Sequence, residues 1–133
     1  MNVQDYRAAG YVMSNLIEQA AVTRAEKDAV AAYILPLVGH VPTQGESETE
    51  PLKTAIMALS FLLLQQRSIA ATRAGAKTKL TAQSGTPTWQ DVLRENAPAC
   101  VNALRAIAGD KKPEQVCSDI CGLFFRTHFF GTN

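Results

Sequence analysis

Pro51-Leu-Lys-Thr-Ala-Ile-Met-Ala-Leu-Ser-Phe-Leu-Leu-Leu-Gln-Gln-Arg67 decides the fold of this chain. Leu52, Ala55, Ile56, Leu59, Leu62, Leu63 and Ile69 recur at three- and four-residue steps, the period of one helix face. Met57, Phe61 and Leu64 fall between them, so the apolar surface runs nearly round the circumference, and such a helix has to be surrounded. Pro51 suits a first helical turn, Glu50 favours the positive helix end, and Gly75 is placed to cap the helix after Ala74. The apolar run from Thr54 to Leu64 is far short of the roughly 20 residues that span a bilayer. The reading is a buried central helix and no membrane partner.

The flanking segments supply helices to cover it. Upstream, Asn2 and Asp5 form an N-terminal cap, and Val3, Tyr6, Met13, Leu16, Ile17 and Ala20 make one apolar stripe. Thr23-Arg-Ala-Glu26 has the spacing of a capping box, which predicts a second helix from Arg24 with Val30, Tyr33, Ile34 and Leu37 on its face. Pro36 is expected to end or kink that helix, with Gly39 just beyond it. Downstream, Thr88 and Asp91 cap a helix striped by Trp89, Val92 and Leu93. Pro98 predicts a kink or break at Asn96 or Ala97, after which Cys100, Val101, Leu104 and Ile107 continue to Gly109. Pro113 opens a last helix bearing Val116, Cys117, Ile120, Cys121 and Phe124.

The fold class expected is therefore all-α: a bundle of about five helices with a long central helix in a single domain over residues 1–133. Residues 76–87 break the helical pattern and read as an extended basic arm or loop, and 127–133 as a tail. At 133 residues and 47% apolar composition, the chain has enough core for one domain and too much for disorder.

Net charge is only +1, but its distribution is uneven. Residues 1–50 hold seven acids against three bases, whereas residues 51–90 hold five bases and no acid. Glu46, Glu48 and Glu50 sit in a polar acidic loop spanning 39–50, where a charge run is ordinarily solvated. Arg67, Arg73, Lys77 and Lys79 run from the end of the central helix into the arm. They either complement the helix dipole or meet a partner, which is phosphate in a non-specific DNA contact or an acidic surface on another subunit.

Four of the five phenylalanines lie between Phe124 and Phe130. Phe125, Phe129 and Phe130 either fold back onto the core or dock into a neighbour.

Catalytic chemistry finds little support. Cys117, Cys121 and His128 share a region but offer no fourth ligand, and two small core residues at helical spacing is the better account. His40 and His128 carry no signature linking them to a cysteine nucleophile. Phosphate-cradling glycine loops and metalloprotease helices do not occur. The expectation is no enzyme, no cofactor, no metal and no small-molecule substrate. Three cysteines, without a basic region and apolar stretch at the N-terminus, read as reduced thiols in a cytoplasmic setting.

The order of elements over residues 3–108 resembles the head–tail connector (adaptor) proteins of tailed bacteriophages. An acidic N-terminal helix pair ends near Ile34-Leu-Pro-Leu37. A long apolar helix comes next, then the Thr72-Arg-Ala-Gly-Ala-Lys-Thr-Lys-Leu80 arm and further helices. The resemblance implies a virion component: a homo-oligomeric ring between portal and tail proteins, assembled in the host cytoplasm, with DNA passing through its lumen. It transfers no functional residue. The other class compatible with these residues is a cellular helical adaptor that binds protein or nucleic acid, which would be cytoplasmic.

Overall fold

The computed structural model describes residues 1–79 and 88–112, with the backbone alone for 70–79 and Trp89. The elements are α1 (Val3–Ala8), α2 (Gln19–Ala29), a π turn (Val30–Ile34), α3 (Leu35–Val38), α4 (Gln44–Ser47), α5 (Leu52–Lys79) and α6 (Trp89–Ala108). The described residues form an all-α bundle around one long helix and contain no strand. None of their helices is long and apolar enough to cross a membrane.

At the centre lies α5, as its apolar circumference requires. Every residue from Ala55 to Ser60 is buried, so no side of this stretch faces water. One apolar cluster covers it with Ile34 and Leu37 on one side and Val92, Val101 and Leu104 of α6 on the other. A second cluster covers the remaining face: Tyr6, Met13, Val22 and Ala25 pack on Met57 and Leu64. Tyr11 joins it, its ring 4.7 Å from that of Phe61. Ser60, wholly enclosed, lies beside the Tyr6 hydroxyl, yet its Oγ makes no hydrogen bond of good geometry.

The N-terminal helices differ from the sequence reading. The capping box of Asn2 and Asp5 forms, but α1 stops at Ala8 because Gly10 turns the chain at φ 99°. The stripe expected to run on to Ala20 is thereby cut, and Leu16 emerges into solvent. Residues 11–18 are instead held as a loop. The Arg7 guanidinium donates to the carbonyls of Met13 (3.2 Å) and Ser14 (3.3 Å) and to Asn15 Oδ1 (3.3 Å).

Nor does Thr23 cap a helix, because α2 already starts at Gln19. Burial of Val22 against the core favours that extra turn. Glu26 serves other partners, accepting from the Tyr6 hydroxyl at 2.7 Å and from the Met1 amino group at 3.1 Å.

Pro36 does not end its helix. The π turn precedes it, with the Leu35 N–H bonded five residues back to the Val30 carbonyl. That wider turn places the proline ring where a regular helix would clash. It also resets the buried face: Val22, Ala25 and Ala29 keep helical steps, then Ile34 comes five residues later and Leu37 three after that. Gly39, at φ 85°, caps the end through its N–H to the Leu35 carbonyl at 2.8 Å.

Two further expectations are corrected. The break expected as one outcome at Pro98 does not occur: the proline lies inside a continuous α6, where Ala97, Cys100, Val101 and Leu104 on either side of it stay packed. Burial of that face holds the helix across the lost N–H. And α5 runs through Gly75 to Lys79, so residues 76–79 are helix and not the start of an extended arm. Residues 80–87, the expected helix from Pro113, and the tail at 127–133 lie outside the described residues.

Helices α5 and α6 are antiparallel: Cys100 Sγ reaches the Ala58 carbonyl (3.6 Å), and Asn96 Nδ2 donates to Gln65 Oε1 (3.0 Å). In that register the start of α6 at Trp89 is level with about residue 72 of α5. The end of α5 therefore overhangs α6 by roughly 10 Å at 1.5 Å per residue.

Leu59 is fully enclosed at the centre of the first cluster. Leu59→Ala is expected to cost about 3 kcal/mol in denaturant unfolding. Leu16→Ala, at a position 90% exposed, should change stability by less than about 0.5 kcal/mol. Equal effects at the two positions would contradict this packing.

Candidate assembly surfaces

The acidic segment is more ordered than its composition suggests. Thr43 and Glu46 form a reciprocal capping box that sets the single turn of α4. Thr43 Oγ1 accepts from the Glu46 N–H (3.2 Å), and Glu46 Oε1 accepts from the Thr43 N–H (3.0 Å). The other Glu46 oxygen lies 3.0 Å from His40 Nε2. Glu46 is thus committed to its own loop. Glu50 accepts from the Thr54 hydroxyl, and Glu48 is exposed with Gln44 Nε2 at 3.5 Å.

Behind this segment, between it and α2, runs an open groove of about 400 Å³. Val30, Ala31, Leu35, Val41 and Ile56 give it an apolar lining, and Glu48 and Lys27 stand on opposite walls. Val41 is 65% exposed. A second hollow of about 430 Å³ lies against the later part of α5, lined by Leu16, Ile17, Ala21, Arg24, Leu64 and Arg67 among others.

The four basic residues are divided by the structure. Arg67 bridges internally to Asp28 on α2, an exposed pair of small energetic weight. Arg73, Lys77 and Lys79 belong to the stretch of α5 that overhangs α6. Arg67 thus has a partner within the chain, and the other three share one helix end. Phe125, Phe129 and Phe130 lie outside the described residues.

Sequence reasoning missed Val12, Leu16 and Val41, the large apolar side chains that stand in water among the described residues. Gly10 was the available signal for the first two, since a glycine early in a periodic stripe marks a place where the stripe can end.

Among the described residues no group of three His, Cys, Asp or Glu side chains is arranged to hold a metal. Cys100, the cysteine they include, is buried against α5, while the exposed His40 pairs with Glu46. No family model, curated protein or solved structure matches the chain.

The His40–Glu46 contact titrates. The hydrogen bond from His40 Nε2 to Glu46, and then the charge of Glu46, pulls His40 above its ordinary value of 6.5. The Thr43 N–H, followed by His40, holds Glu46 below its ordinary 4.5. A raised histidine stabilises below 6.5 and loses that contribution as pH rises through its folded value. A lowered carboxylate stabilises above 4.5 and loses its part as pH falls through its own. The turn is thus firmest between the two. Nuclear magnetic resonance should find His40 titrating above 6.5, and Glu46→Gln should bring the midpoint back toward that value. An unchanged midpoint would mean the pair does not form.

Proposed function

We propose that this chain is a structural assembly subunit, a virion head–tail connector that forms a ring of identical copies between portal and tail around the DNA channel. The observation that carries the reading is the placement of opposite charge at the two ends of α5. Glu46, Glu48 and Glu50 precede its first turn, and Arg73, Lys77 and Lys79 occupy its last stretch. A helix of 28 residues is about 42 Å long. The screening length at physiological salt is about 8 Å, so the two ends do not neutralise each other within one molecule.

A second copy brings them together. One end of α5 then meets the other end of its neighbour, a contact between different faces, which generates rings when the rotation closes. The overhanging basic end also suits a phosphate backbone in a central channel, a contact of charge and not of base sequence. The role is assembly without catalysis, and its setting is the virion.

The mass of the protein in solution should exceed that of one chain, rise with concentration, and fall as salt is raised from about 0.05 M to about 0.5 M. Reversing the basic end with Lys77→Glu and Lys79→Glu should lower the mass at low salt. A single-chain mass at every concentration and salt would sink the reading.

A further inference from the structure

The two apolar clusters differ in what they depend on. The larger draws its buried members from Ala29 onward and joins α3, α5 and α6. The smaller needs residues 1–18, because Tyr6 and Met13 lie there on Met57 and Leu64 of α5 and on Val22 and Ala25 of α2. Lifting residues 1–18 therefore strips one flank of α5 and leaves the buried members of the larger cluster in place.

This segment is fastened chiefly to itself. The Arg7 guanidinium binds Met13, Ser14 and Asn15, and the Tyr6 and Tyr11 rings lie 5.9 Å apart. Its polar ties to the bundle fall on two side chains of α2. Gln19 accepts from the Val3 N–H (3.3 Å) and donates to the Met1 carbonyl (3.0 Å). Glu26 takes the Tyr6 hydroxyl and the Met1 amino group. Glu18, where the segment joins α2, makes no side-chain cap. A helix of six residues such as α1 does not persist alone in water, so its order comes from the Arg7 staple and from docking.

Docking carries a penalty. Tyr6 closes over Ser60, whose hydroxyl is wholly enclosed without a hydrogen bond of good geometry. Water satisfies that hydroxyl once Tyr6 lifts, which favours the lifted form.

We infer that residues 1–18 form a strap that swings off the bundle as one unit, hinged at Glu18 and latched by Gln19 and Glu26, while α5 and α6 stay paired. The chain then has two surfaces. Closed, the strap hides Met57, Leu64 and the face of Phe61 that meets Tyr11. Open, those side chains form an apolar flank bounded by the Glu26 carboxylate and the Ser60 hydroxyl, on a bundle whose helices have not come apart. The inference does not depend on the assembly reading, since a single chain opens and closes by itself.

Hydrogen exchange followed by nuclear magnetic resonance on the full chain tests it. Within the strap the N–H groups of Ala9, Tyr11 and Ile17 bond to the carbonyls of Asp5, Tyr6 and Ser14. Tyr6→Phe keeps the ring and removes the latch hydroxyl, and should speed exchange at all three by one common factor of at least about ten. The amides of Leu59 and Leu104 should be unchanged. Gln19→Ala, at an exposed position, should also speed the three together, and Ser60→Ala should slow them together. Strap and core amides speeding by the same factor would mean that the strap opens only with the whole molecule, and would overturn the inference. A response at Ala9 and Tyr11 that leaves Ile17 untouched would overturn it too, as local fraying.

Discussion

A helix with no polar side imposes its demands on everything near it. From Ala55 to Ser60 each residue of α5 is buried, so an amphipathic partner on one flank is not enough. Burial of that surface at about 25 cal/mol per Å² drives the arrangement, and it calls for cover on every flank. Hence α6 on one side, α2 with its π turn on another, and the α1 segment and the Arg7-held loop over the Met57–Leu64 face. Charged groups are left to the ends of the rod and to the connecting segments. Those are where the acidic turn, the basic overhang and the exposed apolar loop are found.

The central helix was legible because the signal is redundant: many apolar residues agree on one period. The caps were legible only where nothing competed for them. Asn2 with Asp5 and Thr88 with Asp91 form as read. Thr23 and Glu26 have the same local spacing, but the Tyr6 hydroxyl and the Met1 amino group, distant in sequence, take the glutamate. Thr43 with Glu46 makes a capping box inside a stretch that composition alone assigns to solvated loop. Pro98 shows the converse, a local breaker overruled by the apolar face that packs on either side of it.

The candidate surfaces were legible as charge and not as shape. Counting acids and bases along the chain set an acidic stretch over residues 1–50 against an acid-free basic one over 51–90. Counting missed that Glu46 is spent on its own turn and Arg67 on Asp28. It also missed the exposure of Leu16, which belongs to an apolar period and is taken out of the core by the turn at Gly10. Side chains that look like core in one dimension come to face water when a single residue redirects the chain.

The π turn has a consequence beyond accommodating Pro36. It holds a surplus residue between two stretches of helix, each matched to α5 on its own terms. Excising one residue there would remove the wide turn that accommodates the Pro36 ring and swing Ile34 and Leu37 about 100° out of the core. Val30, Ala31 and Leu35, which line the groove, are set by the same bulge. The hollow thus owes its contour to an imperfection of helical winding, and a more regular rod would have a different trough to offer.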